Sequence, residues 1–256
     1  MKEKVSIMKH VLFFLAAVFI FFCCVACGEK RPANVLIVGT NAEFPPFEMR
    51  GGASGSEIVG FDMDIARKIA ERTGKKLQIE DMKFDALIPA LNSGKVDMVL
   101  AGMTVTPERA RNVDFSRPYY KITQIVLLRA EDAGTVSKID DLKGKTIAVA
   151  LGTTGDTVAS ELTPAEKVVR FDSAFEAVLE LKNGKADLVL TDAALGGVLH
   201  SKNPDLTRVD LPFKDEFYAA GVKKGNKALL DQINAALEDL EKSGEKDVLL
   251  ETYFSK

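Results

Sequence analysis

Residues 101–120 read AGMTVTPERARNVDFSRPYY, and their reading decides how the rest of the chain folds. The apolar run at residues 96–100 has the length of a buried strand, and Gly102 breaks it. Thr106 followed by Pro107 has the form of a helix start: a capping hydroxyl, then the residue whose missing N–H is not needed there. Arg109 therefore falls in the first turn. A five-donor guanidinium beside a glycine turn, at the carboxyl end of a strand, stands where open α/β sheets bind ligands, and it suits a carboxylate. Taken alone, the stretch fits an arginine on a solvated helix face equally well.

Composition narrows the choice. The chain has 256 residues, 46% apolar and 28% charged, a globular composition with room for one large or two ordinary domains. Its net charge is -3 and its basic residues are scattered, which argues against nucleic acid as a partner. The only cysteines are Cys23, Cys24 and Cys27, and beyond the first 27 residues the only histidine is His200. No Ser-His-Asp triad, Cys-His pair or multi-histidine zinc site can be assembled from one imidazole, and no cofactor or metal is expected.

Gly102, Thr104, Thr106, Glu108, Arg109, Asp114, Phe115, Ser116, Pro118 and Tyr119 together resemble the signature of the extracellular solute-binding proteins of family 3, the amino-acid receptors of ABC importers. The resemblance runs from about Val35 to the C-terminus. It implies a periplasmic binding protein type II fold, two α/β lobes joined by a two-strand hinge, with residues 35–121 and 217–256 in one lobe and 122–216 in the other. It further implies a non-catalytic monomer that captures an amino acid and presents it to an ABC permease.

Lys2, Lys4 and Lys9 precede sixteen apolar residues, 11–26, and Cys27 follows Ala26. A basic start, an apolar run and a small residue before the cut read as an export signal. The run is shorter than the ~20 residues that span a bilayer. The cysteine resembles that of a lipobox, although Cys24 departs from the usual aliphatic residue. Residues 1–26 are expected to be a lipoprotein signal peptide and 27–34 a linker. Lipid on Cys27 would then hold the protein at the outer face of the cytoplasmic membrane or in the periplasm.

Residues 35–38 read as a strand delivering GTNAEFPPFE, in which two prolines stiffen the turn after Phe44. The resemblance stacks Phe44 on the ligand side chain and puts a second contact at Phe84, so the two rings could sandwich a flat or cationic group; core packing is the plain alternative. Asn41 and Glu43 border the same mouth, Gly102, Met103 and Thr104 form the turn before Arg109, and Asp85 is placed to cap the helix that follows Phe84. Ala101 stands where many relatives carry serine.

Residues 119–129 form an apolar strand long enough to cross between lobes. Gly144-Lys145-Thr146 is not a phosphate loop, since the upstream glycine of that motif would fall on Ile139. Residues 152–156, GTTGD, open a helix; the resemblance has Thr153 and Thr154 close on the ligand carboxylate, while Asp156 fits the helix dipole. GKADLVL at 184–190 repeats GKVDMVL at 94–100. The first copy leads to Arg109 and the second to Asp192, to which the resemblance gives the ligand ammonium; helix capping is the other explanation. Residues 211–218 read as the second crossing, and the helix at 227–241 packs on the first lobe.

Phe44, Phe84 and Glu43 point to a basic side chain, arginine first and lysine or ornithine next, with glutamine as an alternative. The competing class is an enzyme on the same fold, a dehydratase of cyclic amino acids, with Glu43 as its general acid. A sensory module is disfavoured because the sequence stops soon after its last expected helix.

Overall fold

The computed structural model describes residues 34–52 and 54–254. The expected signal peptide, Cys27 and the linker up to residue 33 lie outside the described residues. Two five-stranded sheets organise the remainder. The first runs, in spatial order, Lys76–Asp81, Val35–Thr40, Met98–Val99, Gly221–Lys223, Val113–Phe115. The second runs Val168–Phe171, Ile147–Ala150, Leu188–Asp192, Gln124–Arg129, Leu206–Val209. The first sheet thus recruits a strand from late in the chain, whereas the second lies wholly within residues 124–209.

The strand QIVLLR at Gln124–Arg129 shows why the second sheet is buried on both faces. Ile125 and Leu127 enter one apolar cluster with Ala148, Val178 and Val189, while Val126 and Leu128 enter the opposite one with Ile147, Val149 and Leu190. A strand covered on both sides reads as a continuous apolar run because each residue has a core to enter.

The repeated GKxDxVL segments perform one mechanical task. Asp97 Oδ2 accepts from Ile37 N at 2.9 Å, and Asp187 Oδ2 accepts from Thr146 N at 2.7 Å. Each aspartate pins the start of the neighbouring parallel strand, so the next strand's carboxyl end is delivered in register. The first copy's strand is shorter than the expected 96–100, because Asp97 and Leu100 continue the ladder through single bonds to Ile37 O and Gly39 O.

Two short antiparallel strands, Tyr120–Ile122 and Glu216–Tyr218, join the lobes. The expected continuous crossing at 119–129 is interrupted at Thr123, whose carbonyl accepts from Ala193 N instead of continuing the ladder. The second crossing is confined to three residues of the expected 211–218. The helix Lys227–Lys242 buries Leu229, Ile233, Ala236, Leu237 and Leu240 against the first lobe, and a further helix, Glu245–Phe254, adds Phe254 to the aromatic cluster of Phe47, Phe61 and Tyr120. No helix among the described residues is long and apolar enough to cross a membrane.

Candidate functional site: a charged cleft between the lobes

Strand ends from both sheets open into one cleft. From the first lobe it is lined by Asn41, Glu43, Phe44, Glu48, Phe84, Gly102, Thr104 and Arg109, and from the second by Gln124, Thr153, Thr154, Asp172 and Asp192. All but one of the residues expected at the ligand therefore share a cavity. The exception is Met103, buried at the back of the turn, whose carbonyl accepts from Ala219 N. Met103 instead lines an adjoining cavity with Phe84, Arg109, Gly152 and Thr154.

The helix holding Arg109 is a single turn, Pro107–Ala110, and Thr106 caps it by accepting from Arg109 N at 3.1 Å. That turn aims the guanidinium inward, where it is 9% exposed. Nη1 donates to Thr104 O at 2.8 Å, and Nη2 reaches across to Gly152 O of the other lobe at 3.0 Å. The guanidinium lies 5.1 Å from the Phe84 ring centroid. One face of Phe84 is thus occupied by this protein's own cation. Among the described residues Arg109 forms no ion pair within 4.0 Å. Burial pulls its pKa down to about 10, partly offset by Glu216 and Glu108.

Opposite stands Asp192, 5% exposed, at the end of the strand Leu188–Asp192. It caps the helix Ala193–Lys202, with Oδ1 accepting from Ala194 N at 2.8 Å and Leu195 N at 3.4 Å, and its Oδ2 takes the Tyr218 hydroxyl. Capping and cleft lining are therefore simultaneous. Burial raises its pKa to about 7, against the pull of the two backbone N–H groups.

The threonines are not free hydroxyls. Thr153 caps the helix Thr154–Leu162 and donates to Ala150 O at 2.8 Å; Thr154 donates to Glu216 Oε2 at 2.6 Å. What this helix start offers an anion is its unsatisfied backbone N–H groups. Asp156 does more than answer the helix dipole: it accepts from Gly152 N at 3.1 Å and from Arg170 Nε at 2.9 and 3.1 Å, holding the GTTGD turn. Asp85 makes no capping bond: it lies inside the 3-10 turn Phe84–Ala86, and the cap position of the helix Leu87–Ser93 is Ala86.

Gly102 makes the aromatic wall possible. Its φ is +52°, and a Cβ there would lie 2.6 Å from Phe44 Cε1 and 3.2 Å from Tyr218 Cε2. Phe44 stacks on Phe47 at 5.5 Å and meets Tyr218 edge-on at 6.3 Å. Asp62 Oδ2 holds the turn from below, accepting from Gly102 N at 2.9 Å and the Tyr119 hydroxyl at 2.6 Å.

Three cleft groups, Glu48, Gln124 and Asp172, have no role assigned from sequence, nor has Glu216, which is bonded to the lining. Glu48 is fully buried, and as a carboxylate neither of its oxygens finds a donor; Asp62 Oδ1 and Gln124 Oε1 are also without partners. Burial first, and then the neighbouring Asp62 and Asp192 charges, push the Glu48 carboxyl well above the usual range; burial raises Asp62 to about 7. The two neighbouring acids satisfy each other when Glu48 carries a proton and donates it to Asp62. Glu216, on the second crossing strand, collects Thr154, Thr104 at 3.3 Å and Gln124 at 3.4 Å on one oxygen. The one available signal was a charge inside an otherwise packed run, FPPFE.

Residues 36–256 match the bacterial extracellular solute-binding proteins, family 3. A probable histidine-binding protein of Neisseria gonorrhoeae is 38% identical over 237 residues, 90% of this chain and 87% of that protein. The arginine-binding extracellular protein ArtP of Bacillus subtilis is 34% identical over 257 residues, 97% of this chain and 99% of that protein. Among solved structures, the arginine-bound form of a truncated ArgBP from T. maritima is 43% identical with a TM-score of 0.76, covering 81% of this chain and 96% of that one. With its two sheets, paired crossing strands and shared cleft, the chain belongs to the bacterial extracellular solute-binding proteins of family 3.

Proposed function

We propose that the cleft captures an L-amino acid with a basic side chain, arginine first, and presents it to an ABC permease. The observation that carries this is a buried guanidinium from one lobe and a buried carboxylate from the other, neither neutralised by an ion pair, facing one cavity. Buried charges are paired, and a zwitterion pairs both at once: its carboxylate meets Arg109 and the N–H group of Thr154 at the helix start, that of Thr153 being taken by Ala150 O, and its ammonium meets Asp192.

The preference for a cation beyond the zwitterion rests on the lining. Besides Asp192 it contains Glu48, while Glu43 and Asp172 share Lys83 at the mouth; Arg109 is the one base of the lining, and Gln124 Oε1 and the Glu48 oxygen not bonded to Asp62 are acceptors awaiting donors. A guanidinium supplies five. Relatives named for arginine and histidine support the same choice. Lobes at 35–121 with 217–256, and at 122–216, would close about the hinge strands around the ligand.

Glu43, the acid nominated for the dehydratase alternative, has a side chain 43% exposed at the mouth with Lys83 beside it, and relatives named as binding proteins favour the receptor reading over it. We read the protein as a monomeric receptor without catalytic activity, exported by residues 1–26 and anchored through lipid on Cys27. Titration calorimetry with arginine, lysine, ornithine, histidine and glutamine tests the ligand assignment. Arginine is expected to bind most tightly, and tighter binding of glutamine overturns the basic-ligand reading. Metabolic labelling with radioactive palmitate, lost in Cys27→Ala, tests the anchor.

A further inference from the structure

Lys83 stands just ahead of the Phe84 turn, in the first lobe, with its side chain 48% exposed. Its Nζ lies 3.6 Å from Glu43 Oε2 of its own lobe and 3.4 Å from Asp172 Oδ2 of the other. Both acids line the cleft. Asp172 is held in place: its N–H donates to Glu176 Oε2 at 3.1 Å, and Ser173, next in sequence, caps the helix Ala174–Lys182. An ammonium between carboxylates of opposite lobes exists only while the lobes are together, so whatever it contributes is added to the closed form alone. Desolvation works against the Lys83 charge, yet Glu43 and Asp172 together hold its pKa above the ordinary lysine value.

We propose that Lys83 is a latch across the mouth of the cleft: its bridge from Glu43 to Asp172 slows ligand escape without touching the amino-acid head group. Because all three side chains are half exposed, the bridge is screened by salt and modest in strength. Exposed ion pairs of this kind correspond to about a twofold to fivefold change. The change belongs in the dissociation rate, since the bridge forms after the ligand has entered. The inference rests on two-lobe closure and holds for whichever amino acid the cleft takes.

The test measures exchange of radiolabelled ligand, using whichever of arginine, histidine and glutamine the wild type binds most tightly. Lys83→Met and Asp172→Asn are each expected to speed release about twofold to fivefold, and the double variant no further than either single one. The wild-type rate should rise with sodium chloride more steeply than that of Lys83→Met. Exchanging the charges, Lys83→Glu with Asp172→Lys, again puts a lysine between two carboxylates and should restore slow release. Unchanged release in both single variants, additive effects, or failure of the exchange overturns the latch. If the wild type binds none of the three amino acids, the proposed function fails. The latch is then judged by spin-label distances across the mouth, which should widen in Lys83→Met and refute it if they do not.

Discussion

Glu48→Gln separates the recognition of a cationic side chain from that of the amino-acid head group. In the wild type Glu48 is wholly buried, with Asp62 and Asp192 as neighbouring charges, so a proton rests on it until a cation arrives. Glutamine keeps the shape and can still donate to Asp62, but it cannot become an anion. Hydrogen bonds to charged groups are worth about 1.5–3 kcal/mol, so arginine should bind roughly 10- to 150-fold more weakly. Glutamine as ligand, which places no charge there, should change by less than about threefold. A carboxyl raised in the folded state contributes stability that is complete below its unfolded pKa and disappears as pH rises through the folded value. Removing it should therefore favour the variant over the wild type more at pH 8 than at pH 5. Calorimetric titrations with both ligands and urea denaturation at the two pH values supply the readings. Equal weakening of arginine and glutamine, or none, would refute the assignment of Glu48 to the ligand cation.

Other perturbations bear on the remaining groups. Arg109→Met should weaken every α-amino acid by about 3–5 kcal/mol, a hundredfold or more, while the far-UV spectrum stays native; micromolar binding retained in calorimetry contradicts its role at the carboxylate. Asp192 sits near pH 7 because it is buried, and a ligand ammonium favours its charged form, so binding should release protons and affinity should rise from pH 5.5 to 8 by at most about a decade per unit for each proton released. Calorimetry in two buffers of different ionisation enthalpy counts those protons, and affinity falling with pH over that range defeats the idea. Gly102→Ala forces a Cβ to within 2.6 Å of Phe44 at a left-handed backbone angle and should destabilise the fold by about 1–3 kcal/mol with displacement of the aromatic wall, read by denaturant unfolding and by weakened binding.

Sequence by itself determined what depends on neighbours along the chain. Thr106 and Pro107 start a helix, so Arg109 had to fall in its first turn, and the repeated GKxDxVL segments announced two lobes of related construction, although the strand each aspartate pins lies 60 or 41 residues away and only the structure shows it. The unbroken apolar run at 125–128 had to be covered on both faces. Tertiary structure alone decided the meaning of charges whose partners are distant. Glu48 became a proton-holding acid only when the segments carrying Asp62 and Asp192 enclosed it, and Glu216 gathers hydroxyls from positions 112 and 62 residues away. Phe84 turned one face to Arg109, Lys83 met Asp172 across the mouth, and Met103 was buried beside the cleft rather than in it. The physical reason is that caps and apolar periodicity act over a few residues, whereas the energy of a carboxylate or an ammonium is set by the water it loses and the opposite charge it gains, and neither is defined until separate parts of the chain converge.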